Sequence, residues 1–212
     1  MRPCILITIV VLAANLAISC ANPAANKPQA TVGKAASDNS AKPAAAETLA
    51  ISPSNSKVEF VAAKVTRSHN GSFKQFNGSI DLVNNSPEQS RVTIDVDTGS
   101  VVTDEDQLTG HLKTPDFFDV AKYPKATFVS TKIEPANGGG ATHNVTGNFD
   151  LHGVKKSITF PATIQIAASN VSISAEFAIN RKDFGILYPG KADDLIRDGV
   201  VIKLSLNVPR NK

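Results

Sequence analysis

Cross-linking chemistry is almost absent from this chain. Its two cysteines are Cys4 and Cys20, and no cysteine follows residue 20. That rules out a disulfide framework, a thiolate metal site and a cysteine nucleophile in everything downstream. Tryptophan is absent, aromatics make up 6% and charged residues only 19%. The net charge of +3 is mild and the basic residues are scattered, so the clustered basic face of a nucleic-acid binder is missing. The four histidines, His69, His111, His143 and His152, show no HxH or HxxxH spacing, which argues against zinc. A Gly-x-Ser-x-Gly elbow is lacking, as is a Gly-rich phosphate loop. No catalytic residues, metal ligands or cofactor are therefore assigned.

The opening twenty residues have the layout of a secretory leader. Arg2 precedes an apolar run from Ile5 to Ala14, and small residues stand at Ala17 and Ser19. The run is too short and wrongly flanked for a stable membrane span. Leu16-Ala17-Ile18-Ser19-Cys20 resembles a bacterial lipobox, making Cys20 the expected lipid-attachment residue. Ala17 and Ser19 also fit ordinary signal cleavage, which would release a soluble protein. Residues 21–50, dominated by Ala, Pro, Asn, Lys and Ser, are expected to be a disordered linker, because they cannot bury enough surface to offset chain entropy. The folded domain is expected over residues 51–212.

From residue 51 the hydrophobic period is two. Val92, Ile94 and Val96 alternate with polar residues, as do Val145, Gly147, Phe149 and Leu151. Ile158 through Ile166, Val171 through Ile179 and Val200 through Val208 repeat the pattern. With Lys57–Val65, Ser72–Val83 and Lys125–Glu134 the count is eight strands, each with one wet and one dry face. Asn84-Asn85-Ser86-Pro87, Asn137-Gly138-Gly139-Gly140 and His152-Gly153 supply turn chemistry for antiparallel neighbours. Thr103-Asp104-Glu105-Asp106 reads as an N-cap opening a short helix that stops before Pro115. No crossover helix is visible, so the class is all-β, either a sandwich or a closed barrel.

Four segments, in order, resemble the YceI-like family, lipocalin-like proteins also called polyisoprenoid-binding. They are Gly110 to Asp119 with Tyr123-Pro124, Val145 to Lys156, Ile179 to Gly185, and Phe73 to Gly78. The resemblance covers about residues 55 to 208. It implies an extended eight-stranded antiparallel lipocalin-like β-barrel, capped by the short helix, with a long isoprenoid chain in its pore. The family often opens its first strand with Asp-x-x-His-Ser. Here Ser52-Pro53-Ser54-Asn55-Ser56 stands instead, so ligand length and head-group chemistry do not carry over.

The inward-facing candidates for ligand binding are Phe60, Phe76, Ile80, Val92, Ile94, Phe128, Phe149, Phe160, Phe177, Ile179 and Leu204. Each would serve equally as ordinary core. Phe117 and Phe118 are placed to gate or to seal one end, and His111 to reach a head group from the helix. Arg181 either contacts a quinone or phosphate head or fixes its own loop by pairing with Asp183 or Asp198. The function expected is an exported carrier or reservoir for an isoprenoid in the bacterial cell envelope. It would be periplasmic and anchored through Cys20, with the outer membrane preferred. The alternatives are a tethered module binding envelope proteins through Lys191 to Asp198, and an enzyme acting on an isoprenoid through His111 or Arg181. The expected partners are the lipid, the membrane through Cys20 and a second copy of the chain.

Overall fold

The computed structural model describes residues 22–37, 43 and 46–210. The leader and Cys20 lie outside the described residues. Among those described, no helix is long and apolar enough to cross a membrane.

In chain order the strands are β1 (Thr31–Lys34), β2 (Glu47–Ile51), β3 (Ser56–Ala63), β4 (Ser68–Phe73), β5 (Phe76–Val83), β6 (Ser86–Asp97) and β7 (Val101–Thr103). After helix α1 (Asp106–Leu112) come β8 (Lys125–Pro135), β9 (His143–Leu151), β10 (Val154–Ile166) and β11 (Asn170–Asn180). A two-residue hairpin, β12 (Gly190–Lys191) with β13 (Asp194–Leu195), precedes β14 (Gly199–Pro209).

The longer strands pair in the order β2-β5-β6-β8-β9-β10-β11-β14-β3-β4-β7. β4 and β5 are two halves of one bent strand, broken only at Lys74 and Gln75. Across the bend Lys74 N donates to Ser100 O and Asp97 N to Gln75 O. β6 and β7 are likewise halves of one strand, as are β2 and β3 around the Ser52–Asn55 turn. Counted this way, eight strands run round from β3 to β14, and β14 pairs again with β3. The sheet thereby curls into an antiparallel barrel. The eight expected strands correspond to these units; the higher count comes from the three breaks together with β1 and the β12-β13 hairpin. The Lys74-Gln75 break shifts the parity by one, so that Phe73 and Phe76 both turn inward.

The hairpin turns follow their sequences. Asn84 and Asn85 have φ of 51° and 53°, and His152 and Gly153 have 54° and 73°. Two successive positive φ values give the turn whose twist matches the flanking strands. Gly71 and Gly147 have a different task. A Cβ on Gly71 would stand 2.1 Å from Phe60 Cζ, and one on Gly147 2.4 Å from Phe128 Cζ. Both glycines leave floor space for an aromatic ring inside the barrel.

The helix begins later than its sequence suggests. Glu105 occupies the cap position without a side-chain cap bond. Thr103 Oγ1 donates to Glu105 O at 2.8 Å and meets Thr109 Oγ1 at 2.9 Å. Asp104 turns away toward His69, which removes it from capping.

The expectation of a disordered linker over residues 21–50 requires correction for the described residues. β10 and β11 pair only over Thr163–Ile166 and Val171–Ser174, then splay apart. β1 enters that seam, antiparallel to β10 from Thr31↔Thr159 to Lys34↔Lys156. On its other side Ala30 N donates to Ala178 O and Ala178 N to Pro28 O, both at 2.8 Å. Ala30 and Val32 pack against the barrel core, and Ala24 is buried with Val61, Ala178 and Val201. Ala36 N donates to Asn148 Oδ1 and Asn148 Nδ2 donates to Ala36 O, each at 2.9 Å. Lys27 reaches Glu176 at 2.9 Å. A sequence poor in large apolar groups is ordered here because the barrel supplies the partners: two open strand edges and a small apolar patch that alanines fit. β2 adds Leu49 and Ile51 to the core from the boundary region.

Candidate functional site

The barrel interior holds two apolar cavities in line. The inner one, about 90 Å³, is walled by Ile94, Phe128, Phe160, Phe177 and Leu204, together with Val58, Val96, Ala126 and Ile158. The outer one, about 110 Å³, lies under the helix against Phe60, Leu112, Phe117, Phe118, Leu151 and Ile179. Phe73, Phe149 and Ile202 border both and form a waist between them. Apolar residues at the barrel centre are normally sealed, yet Phe73, Phe149, Ile202 and Leu204 are only half-buried. The interior therefore presents open apolar surface.

Aromatic rings set the shape. Phe160 stacks on Phe177 at 4.1 Å and 10°, with Phe128 tilted against Phe160 at 5.5 Å. Phe73 bridges Phe60 and Phe118, each at 5.7 Å. Phe149 meets Phe184 edge-on at 5.1 Å.

Of the candidates read from sequence, Phe60, Ile94, Phe117, Phe118, Phe128, Phe149, Phe160, Phe177, Ile179 and Leu204 border one cavity or both. Phe76, Ile80 and Val92 do not border either. They belong to the packed core at the other end of the barrel, where Ile80 is paired with Leu49 of β2 and Phe76 with Val96. The added strand β2 fills the space that their inward direction suggested would be open. Phe73 and Ile202 border both cavities and are absent from the candidates, as are several wall residues of one cavity such as Val58, Val96, Ala126, Ile158, Leu112 and Leu151. Phe73 ends β4 ahead of the Lys74-Gln75 break, so the alternation of β5 does not predict its direction. Ile202 carried the right signal, standing in the Val200–Val208 alternation.

Arg181 touches the outer cavity, but its guanidinium is committed elsewhere. It is 4% exposed and donates to the carbonyls of Ile186 (2.7 Å), Arg197 (3.2 Å) and Ile196 (3.4 Å), and to Asp198 Oδ1 (3.2 Å). Burial pulls it below its ordinary pKa, and Asp198 pushes it back up. Arg181 thus organises the loop from 186 to 198. Of its two expected loop partners, Asp198 is the one it bonds.

A third, polar cavity of about 260 Å³ lies outside the helix. It is formed by Lys64 and His69, by Glu105, Gln107, Leu108 and His111, and by the loop from Tyr188 to Ile196. Phe117 and Ile196 line it as well as the outer apolar cavity, so it is a vestibule to the barrel. His111 stands on its wall, in edge contact with Phe117 (5.0 Å) and Tyr188 (5.2 Å), and its Nε2 meets Asp116 at 2.8 Å. His69 is the unforeseen member. It is 4% exposed, and its Nδ1 lies 2.9 Å from Asp104 Oδ1. Burial works to raise the Asp104 carboxyl, yet the bonds from His69 and Asn70 hold it below its ordinary value. The pairing joins residues 35 apart, His69 on β4 and Asp104 just after β7, so spacing gives no hint of it. Among the described residues no group of three or more His, Cys, Asp or Glu is placed to hold a metal.

The YceI-like domain family matches residues 49–208. The chain belongs to that family. A UPF0312 protein of Pseudomonas putida (strain W619) is 36% identical over 126 residues, 57% of this chain and 65% of that protein. The chain thus spans just under two thirds of that relative's length. A UPF0312 protein of Pseudomonas fluorescens (strain SBW25) is 33% identical over 132 residues, 59% of this chain and 68% of the relative. Among solved structures, BcnA of Burkholderia cenocepacia superposes with a TM-score of 0.65 at 27% identity, over 74% of this chain and 98% of its own. A polyisoprenoid binding domain of Saccharophagus degradans, implicated in plant cell wall breakdown, gives 0.61 at 19% identity, over 79% and 100%. At that identity the likeness is one of fold. In this YceI-like chain β1 lies ahead of the matched region.

Proposed function

We propose that this protein holds a long apolar chain of isoprenoid type inside its barrel, as a carrier or reservoir in the cell envelope. The observation that carries the reading is the pair of aligned apolar cavities meeting at the Phe73, Phe149 and Ile202 waist. An apolar cavity of about 150 Å³ suffices for benzene. The two chambers as they stand accept a short stretch of chain, and a longer one requires the half-buried Phe73 and Phe149 to turn aside. Each methylene buried is worth about 0.8 kcal/mol, so a prenyl tail binds without polar contacts. Family membership and the fold shared with the Saccharophagus degradans polyisoprenoid binding domain support the same ligand class. The leader and the lipobox-like Leu16–Cys20 support export and acylation at Cys20, with residence on the periplasmic side of the outer membrane.

The test is to express the full chain with its leader, purify it without detergent, and extract it for mass spectrometry. An isoprenoid in near-stoichiometric amount is expected. A folded barrel that yields no lipid and takes up no prenyl alcohol would overturn the proposal.

A further inference from the structure

The barrel wall changes construction along one seam. β10 and β11 bond to each other directly only from Thr163↔Ser174 to Ile166↔Val171. Just beyond, Phe160 of β10 and Phe177 of β11 still stack at 4.1 Å. Past that stack the strands are parted, and β1 lies between them. Val32 is registered opposite Ile158 on one side, and Ala30 N donates to Ala178 O on the other. Ile158 walls the inner chamber and Ile179 of β11 walls the outer one. The slot that β1 fills therefore faces both chambers, at the level of the waist.

β1 closes this slot with little material. Ala30 and Val32 pack against the core, whereas Thr31, Gly33 and Lys34 are exposed. Lys34 is registered with Lys156, and like charges directly opposite weaken strand pairing. The segment is latched at its ends, by Lys27 on Glu176 and by the two bonds between Ala36 and Asn148. A strand that buries so few apolar groups opens locally before the barrel does. Its neighbours keep their places without it, since β10 pairs with β9 from Val154 to Ala162 and β11 with β14 from Asn170 to Asn180. Other ways into the inner chamber are obstructed. Phe76, Ile80 and Val92 pack the far end, and from the vestibule a chain must thread the waist end-on. An isoprenoid carries methyl branches along its length, which resist threading between rings. Laid sideways through the slot, it would enter both chambers at once.

We infer that residues 28–34 form a lateral hatch: β1 detaches from β10 and β11, an isoprenoid chain passes sideways through the slot, and β1 closes behind it. The inference rests on the apolar-chain reading of the barrel and deepens it by assigning the route.

The experiment locks the hatch. Gly33 and Ser157 are registered partners, and a Cβ on Gly33 meets nothing within 4 Å. Directly opposed strand residues lie within disulfide reach. Gly33→Cys with Ser157→Cys is made in the full chain, and peptide mapping confirms the bridge between those two positions. Uptake and release of labelled geranylgeraniol are then timed before and after reduction. Ser174→Cys with Ser205→Cys, at exposed partners on β11 and β14, gives a bridge of the same kind away from the slot. The bridge across β1 and β10 is expected to slow uptake and release together by at least about tenfold, with Kd kept within about twofold. Reduction should restore both rates, and the bridge between β11 and β14 should leave them unchanged. Ala30→Pro removes the N–H that bonds Ala178 O, and should quicken both rates about 3- to 10-fold, the worth of one hydrogen bond in the opening equilibrium. The inference is overturned if locking β1 leaves the rates at their reduced values, if the bridge between β11 and β14 slows them as much, or if Ala30→Pro exchanges at the parent rate. In each of those results the alcohol still binds and the barrel reading stands. If no form binds geranylgeraniol, both fall.

Discussion

Ile202→Trp tests whether the waist is a passage. Ile202 borders both apolar chambers, and an indole there would close one from the other. Scaled to the roughly 150 Å³ that accepts benzene, the inner chamber of about 90 Å³ takes about four carbons of a chain. At about 0.8 kcal/mol each, losing them costs about 3 kcal/mol, or about 100-fold in Kd. Overpacking would itself cost about 1–3 kcal/mol, so the apo variant should melt no more than about 12 °C lower. The chain has no tryptophan of its own, so the introduced indole is the single one. A blue-shifted emission would place it in the apolar interior, and equilibrium dialysis with labelled geranylgeraniol would give the affinity. A folded variant with a blue-shifted indole and a Kd within about threefold of the parent would refute the reasoning, because the tail would then not cross the waist.

Two further outcomes follow from local geometry. Gly71→Ala places a Cβ 2.1 Å from Phe60 Cζ, so it should destabilise by about 1–3 kcal/mol in chemical denaturation, with Phe60→Leu in the same chain recovering much of the loss. The hydrogen bond from Lys27, with the help of Lys203, holds the Glu176 carboxyl below its ordinary value. Its contribution is therefore complete above the unfolded carboxylate pKa and disappears as pH falls through the depressed folded value. Hydrogen exchange over residues 24–34, corrected for intrinsic rates, should rise by at most about fivefold in acid, and by as much in Glu176→Gln at neutral pH. No rise in either condition would detach Lys27 from the hold on this segment.

The legible part of the fold was the period-two pattern. Alternation such as Val171 to Ile179 states which face is dry without reference to any partner, and the Asn84-Asn85 and His152-Gly153 turns state where chains reverse. Bends were less legible, since a break such as Lys74-Gln75 conserves composition while changing parity, and it hid Phe73. β1 was invisible for a deeper reason. Thr31 to Lys34 has no dry face of its own, and its order comes from edges left open by β10 and β11 more than a hundred residues later. Within the site, wall residues were read from direction alone, and direction does not tell a cavity from packing. Ile94 and Val92 have the same parity, yet Ile94 borders open space and Val92 solid core. His69 depended on a partner brought over by the α1 connection.

The docking of residues 22–37 changes what an anchor at Cys20 would do. With a slack linker, the barrel would sweep a volume tens of ångströms deep above the bilayer. Ala24 is instead fixed on Val61 and Val201, close to the end where Lys64 and Ile196 open the vestibule. Four residues span at most about 14 Å. An acyl group at Cys20 would therefore hold the entrance within reach of the headgroup layer, and loading would proceed as transfer at a surface, with no diffusive search through the periplasm.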